Sequence, residues 1–201
     1  MIRDFWFRGL SSARMYRRLV LIERTLSERL PDISAGVPVR VSVLADSEVG
    51  AYLALRADQN AAEIRRRLDE GQRCFAVWHE EQIIHAAWAV LRHATVDYLS
   101  AEIPLAPDDV YVYGGFTAPA FRGLGASPVR ILEQAGYFRD RGYRRLLAAV
   151  LPENRSSFRS WSRVGYRRVG LIGFVGLGPW RRAFCRMERG GAPGYPAGEE
   201  E

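Results

Sequence analysis

Apolar and polar positions change period several times along this chain, and each change marks an element. Val39, Val41 and Val43 alternate with Arg40 and Ser42, so Val37 to Leu44 is predicted as a half-buried strand. Asp46 or Ser47 can cap a helix running through Tyr52 to Leu55, and a second short helix is predicted from Ala61 to Leu68, ended by Gly71. Cys74 to Trp78 and Gln82 to Leu91 are β-prone runs separated by His79, Glu80 and Glu81, the pattern of an antiparallel hairpin. A loop carrying Pro104 and Pro107 leads to a strand from Val110 to Phe116. Gly114 and Gly115 interrupt that strand, and glycine there marks a bulge or a close backbone approach.

A turn over Thr117 to Gly125 opens a helix from about Pro128 to Arg141, stopped by Gly142, and a strand follows from Arg145 to Leu151. The helix Arg155 to Arg163 stops at Gly165, and Tyr166 to Leu177 and Arg182 to Met187 read as two strands around Gly178, Pro179 and Trp180. Residues 1–36 read as an N-terminal extension. Within it Met15, Leu19, Ile22, Leu26 and Leu30 fit a helical stripe, while Arg18 to Thr25 can equally pair as a strand. From Gly190 the composition turns to Gly, Pro, Ala and Glu, which predicts a disordered acidic tail over 190–201. About seven strands and four helices, partly in strand-helix-strand order and partly in hairpins, predict a mixed α/β (α+β) sheet in one domain over 37–189.

Composition narrows the chemistry. The chain has 201 residues, of which 48% are hydrophobic and 26% charged, enough for one globular domain with a sizeable core. All 29 basic residues are arginine, which removes every mechanism that needs a lysine: a Walker-type P-loop, a protein-kinase lysine, a pyridoxal Schiff base. Cys74 and Cys185 lie far apart without C-x-x-C spacing, which points to a reducing, cytoplasmic setting. The longest apolar run near the start, Leu19 to Ile22, is too short for a signal-peptide core or a membrane span. Net charge is +6, and its sign changes along the chain: residues 121–189 carry 15 arginines against 4 carboxylates. That third fits a polyanion, whether a phosphorylated cofactor, an acidic protein or nucleic acid, or else a solvated arginine-rich surface. No base-reading motif accompanies the arginines, so nucleic acid is the weakest of these.

Candidate chemistry concentrates at Val112 to Ser127, where a strand passes through a Gly-rich turn into a helix. Amides at a helix start, the positive end of its dipole and close backbone approach at glycine make an anion site, and Arg122 adds a fork suited to phosphate oxygens. Pro128 stands where the dinucleotide fingerprint needs glycine, and Val129 where the hydrolase elbow around Ser127 needs one. His79, His85 and His93 lack the spacing of a metal site, so no metal is expected, and His85, inside an apolar run, reads as a core histidine.

Arg122, Gly123, Leu124, Gly125, Ala126 and Ser127 resemble motif A of the GNAT superfamily of acyl-CoA-dependent N-acyltransferases. That motif reads Gln or Arg, two residues, Gly, one residue, then Gly or Ala, and Ser127 is the one departure. Asn154, followed by Ser157, Gly165 and Tyr166 at +3, +11 and +12, is similar to the family's next segment. The resemblance implies a V-shaped split between the fourth and fifth strands, taking acetyl-CoA or another acyl-CoA as co-substrate. It implies that the backbone of Phe116, Thr117 and Ala118 bonds the pantetheine arm, that Arg122 to Ser127 hold the pyrophosphate, and that Asn154 and Trp161 complete the cofactor site. The activity implied is transfer of an acetyl or other short acyl group to a primary amine. An acyl-carrier protein as donor, a homodimer, and a non-catalytic CoA-binding module on the same fold are the alternatives.

Two positions depart from the family mechanistically. Trp161, seven after Asn154, stands where a tyrosine often protonates the departing thiolate, and an indole N–H is no useful acid at neutral pH. The strand Val110 to Phe116 carries no carboxylate where family members often place a base. Candidates for that role are Tyr111, Tyr113 and Asp109, with Asp97, Glu102 and Asp108 in the preceding loop.

Overall fold

The computed structural model describes residues 16–96, 99, 101–177 and 180–187. Its strands are β1 (Tyr16–Thr25), β2 (Arg40–Val43), β3 (Arg73–His79), β4 (Gln82–Val90), β5 (His93–Val96), β6 (Ala101–Pro104), β7 (Asp109–Thr117), β8 (Arg145–Val150), β9 (Arg167–Leu177) and β10 (Trp180–Met187). Its helices are α1 (Val49–Leu55), α2 (Ala61–Asp69), α3 (Ala126–Arg139) and α4 (Arg155–Arg163). Eight strands form one sheet in the order β10-β9-β1-β8-β7-β4-β3-β2, and β5 pairs with β6 in a second, two-stranded sheet. Within the large sheet every pairing is antiparallel except β7 with β8. The mixed architecture is therefore as expected, with ten strands among the described residues rather than about seven.

The extra strands have physical explanations. β1 comes from the segment read as an extension, yet it lies inside the sheet between β8 and β9. Both of its faces are covered: Val20 and Ile22 pack beneath α3 and α4, while Leu19 and Leu21 pack on the opposite side with Ile103, Tyr111 and Ile172. A strand buried on both faces reads as a continuous apolar run, and such a run has no period of its own. The boundary expected at residue 36 is thus corrected: the folding unit includes Tyr16–Thr25. β5 and β6 arise in the proline-bearing loop, and their hairpin covers the sheet face opposite α3 and α4. Residues 1–15 and the expected tail 190–201 lie outside the described residues.

The feature that positions the site is a bulge. In β4 against β7, Ala86 pairs with Phe116 but Trp88 pairs with Tyr113, so Gly114 and Gly115 together face Ala87. Gly114 has φ of +65°, open to glycine at no steric cost, and the insertion bends β7 away from its other neighbour. Pairing between β7 and β8 covers only Asp109 to Val112 against Arg145 to Ala148. Beyond that point the two parallel strands separate, and among the described residues no β7–β8 ladder continues over Gly114 to Thr117.

Among the described residues no helix is long and apolar enough to cross a membrane.

Candidate active site

The split between β7 and β8 opens into a cavity of about 890 Å³ that penetrates the sheet. On one side it is bounded by Gly114 to Thr117 and the start of α3, on the other by Ala148 to Leu151 and α4. Leu19, Val96 and Tyr111 line its far end, on the face covered by β5 and β6.

At the mouth stands the start of α3. Gly123 and Gly125 both have φ of +83°, a conformation that aims successive amides toward one side. Gly125 is the N-cap, and the amides that open the helix after it have no acceptor one turn back. Pro128 falls within the first turn, where its missing N–H costs nothing. Arg122 folds back toward this turn, its Nε donating to the Thr117 carbonyl at 3.4 Å. Across the split Asn154 caps α4: its Oδ1 accepts from the Ser157 N–H at 3.1 Å and from the Ser156 hydroxyl at 2.9 Å. The Asn154 amide NH₂ has no hydrogen bond among the described residues.

The split brings together most of the residues expected from sequence. Tyr111, Tyr113, Phe116, Thr117, Arg122, Gly123, Gly125, Ala126, Ser127, Asn154 and Trp161 all line the cavity. Ala118 and Leu124 do not: the Ala118 N–H is spent on the Ile84 carbonyl at 2.9 Å, and the Leu124 carbonyl accepts from Gly36 at 2.8 Å. Asp109 is a correction. It is buried at the closed end of the β7–β8 pair, where Arg145 Nε and Nη2 grip both of its carboxylate oxygens at 2.8 and 2.6 Å. A carboxylate held this way faces neither the cavity nor a proton to abstract. Asp108 pairs with Arg144 at 3.3 Å, Glu102 is exposed on β6, and Asp97 lies outside the described residues. Tyr111 and Tyr113 stack with ring centroids 6.2 Å apart, and the Tyr113 hydroxyl donates to Gln72 Oε1. Trp161 donates its indole N–H to Ser157 Oγ at 3.0 Å.

Among the described residues the lining carries Arg122, Arg130, Arg159 and Arg163 and no carboxylate, so the cavity is electropositive. The outer three are exposed. Arg130, which the sequence reading passed over, is 1% exposed. A signal for it existed: Arg130 sits four residues from both Ala126 and Gln134, on the face of α3 that meets the core. Its Nε donates to His85 Nε2 at 3.4 Å, its Nη1 donates to Gln134 Oε1, and its guanidinium lies 5.4 Å from the Trp161 ring centroid. Burial lowers its pKa to about 10, which leaves it a cation at neutral pH.

Because arginine can only donate, His85 Nε2 accepts and the ring proton resides on Nδ1, which donates to Thr117 Oγ1 at 2.8 Å. Burial, and then the Arg130 charge, hold the His85 pKa well below its ordinary value, so His85 is a neutral orienting group rather than a base. The consequence for stability follows from linkage. The unfolded chain takes up a proton near pH 6.5 and the folded chain does not, so no penalty exists above that pH and it grows as pH falls below it. Denaturant unfolding at pH 7.5 and 5.5 is expected to show wild type losing about 1 kcal/mol more than His85→Gln on acidification. Equal losses would mean that His85 protonates freely in the fold.

No family model and no curated protein matches the sequence. Solved structures do share the fold. A GNAT-family protein from Novosphingobium aromaticivorans is 16% identical, with 77% of this chain and 62% of that one covered at a TM-score of 0.54. A GNAT-family acetyltransferase from Colwellia psychrerythraea is 11% identical over 76% of this chain and 53% of its own, at a TM-score of 0.56. The aminoglycoside N-acetyltransferase AAC(6')-Iy, solved in complex with CoA, is 21% identical over 65% of this chain and 91% of its own, at 0.50. The chain thus spans less than two thirds of the length of the first two. Its fold is that of the GNAT acetyltransferases, the superfamily its Gly-rich segment resembles.

Proposed function

We propose that the protein is an N-acyltransferase that moves an acetyl or other short acyl group from acyl-CoA to a primary amine by direct attack in a ternary complex. The observation that carries this reading is the cavity: it runs through a split sheet, opens at the N-terminus of α3, and is lined by four arginines and no carboxylate among the described residues. The edge of β7 beyond its ladder with β8 would offer Phe116 and Thr117 to the amides of a pantetheine arm, which would add to the sheet like a further strand. The amides opening α3, with Arg122, would hold the pyrophosphate. Asn154, with its NH₂ free, would bond the arm from the opposite side.

The acceptor amine would approach from the face of β5 and β6, past Tyr111 and Tyr113. Without a carboxylate in the described lining, the proton of the attacking nitrogen would leave through water ordered by these hydroxyls. Binding fixes the amine on the thioester carbon, and backbone donors of β7 stabilise the developing oxyanion. Both cysteines are free thiols, in keeping with a cytoplasmic enzyme.

A thermal-shift titration with acetyl-CoA, CoA and longer acyl-CoAs tests this, because a ligand that binds the native state raises the midpoint. A rise with all of them, followed by thiol release across an amine panel, is the expected result. Binding without thiol release would leave a CoA-binding module, and no rise with any would reject the reading.

A second donor is favoured by one observation. Arg155, Arg159 and Arg163 repeat every four residues along α4, all exposed, and none is in an ion pair among the described residues. An acyl-carrier protein presents an acidic surface around the same pantetheine arm, and higher turnover with an acetylated carrier than with acetyl-CoA would select it.

A further inference from the structure

The cavity contains a buried charge with no counter-charge among the described residues. Arg130 is buried, lines the split, and is in no ion pair among the described residues. Its polar partners are neutral, His85 Nε2 and Gln134 Oε1, and the Trp161 ring flanks it. A desolvated guanidinium without a counter-charge is costly, and such a group persists where an anion is met during function. The neighbours fix its direction: Thr117 holds His85, His85 holds Nε, and Gln134, whose own Nε2 has no partner, turns its oxygen to Nη1.

The phosphates of a CoA-like ligand would have other partners. The opening amides of α3, Arg122, and the exposed Arg159 and Arg163 would serve them, whereas Arg130 lies a full turn further along α3, about 5 Å along its axis, and is buried. In a thioester aminolysis the remaining anion arises on sulfur. Trp161, the large group of α4 at this depth, has committed its only N–H to Ser157 and offers no proton.

Resting on the acyltransferase reading above, we propose that Arg130 faces the sulfur of the thioester and stabilises the departing CoA thiolate as an anion, in place of a proton donor. The amine nitrogen forms its bond to the carbonyl carbon, the C–S bond breaks, and its electron pair leaves on sulfur opposite the guanidinium. The excess proton of the nitrogen passes to water, and nothing is oxidised or reduced. His85, Thr117 and Gln134 are positioning residues that aim the cation.

The test needs no acceptor. CoA is bound to the protein and its thiol titrated by the ultraviolet absorbance of the thiolate, with desulfo-CoA as blank and calorimetry to confirm saturation. In wild type the bound thiol is expected to ionise at least one pH unit below free CoA, which is tenfold more thiolate at a given pH. Arg130→Gln is expected to abolish the shift, and Arg130→Lys, which keeps the charge and folds if Gln does not, to retain part of it. A thiol in the wild-type complex that titrates like free CoA overturns the proposal while leaving CoA binding intact, as does a shift that survives Arg130→Gln. If Arg130→Gln instead weakens CoA and 3'-phospho-ADP alike with the thiol unshifted in wild type, Arg130 belongs to the phosphates. Failure of wild type to bind CoA at all overturns both this proposal and the acyltransferase reading.

Discussion

Gly125→Glu is expected to weaken CoA binding by about 100-fold or more, and Gly125→Ala to weaken it far less. Both substitutions add the same Cβ to a residue whose φ is +83°, and in both that Cβ lies 3.3 Å from the Ser34 carbonyl oxygen and the Ala35 Cα. Both are therefore expected to lose similar stability, about 1–2 kcal/mol, through backbone strain and that contact. Only glutamate adds a negative charge where the opening amides of α3 would meet a pyrophosphate. Two unit charges about 5 Å apart at an effective dielectric near 20 repel by about 3 kcal/mol, the size of a hundredfold change in affinity. Calorimetric titration of CoA into wild type and both variants, with the unfolding midpoint of each as a fold control, separates charge from strain. Equal affinity of the two variants would mean that the phosphates sit elsewhere.

The parts of this molecule legible in its sequence are those that local chemistry decides. Helix α4 was predicted to the residue because Asn154 caps it and Gly165 follows its end in a left-handed conformation. The bulge in β7 could be read from two adjacent glycines in an apolar run, and the start of α3 from glycines that no other residue replaces cheaply. What escaped was decided by distant partners. β1 could not be placed because a run covered on both faces carries no period, and its neighbours β8 and β9 lie more than a hundred residues away in sequence. Asp109 looked like any loop carboxylate before a strand, and only the fold brings Arg145 to it. Arg130 looked like one arginine among fifteen in its third of the chain, and only its packing from α3 against His85 of β4 and Trp161 of α4 distinguishes it.

The same network that removed Asp109 from the site holds the split at its closed end, and breaking it is expected to be the most destabilising single change in the molecule. Asp109 on β7 and Arg145 on β8 are the first parallel pair, directly where the two strands still touch. Arg145 also reaches Glu23 on β1 at 3.2 Å, and Arg167 on β9 closes the row on Glu23 at 2.9 Å. Four adjacent strands are thereby joined by two cations and two anions. The side chains of Glu23, Asp109 and Arg145 are 0%, 2% and 8% exposed. Such a group adds little over a packed apolar cluster, but removing one member leaves a desolvated charge without compensation. Arg145→Met keeps the volume and strands Asp109, so unfolding in urea is expected to show a loss of about 3–5 kcal/mol. Arg167→Met, at the end of the row where the arginine side chain is 57% exposed, should cost no more than about 1 kcal/mol. If charge imbalance is the cause, Asp109→Asn added to Arg145→Met leaves Glu23 with Arg167 as a neutral pair and restores about 1–3 kcal/mol. Were the double variant no more stable than Arg145→Met alone, the loss would lie in packing. Because the row closes β7 on β8 below the point where they part, a weakened row should also splay the groove above it. Arg145→Met, assayed well below its unfolding midpoint, is therefore expected to bind CoA more weakly although it touches none of the cavity.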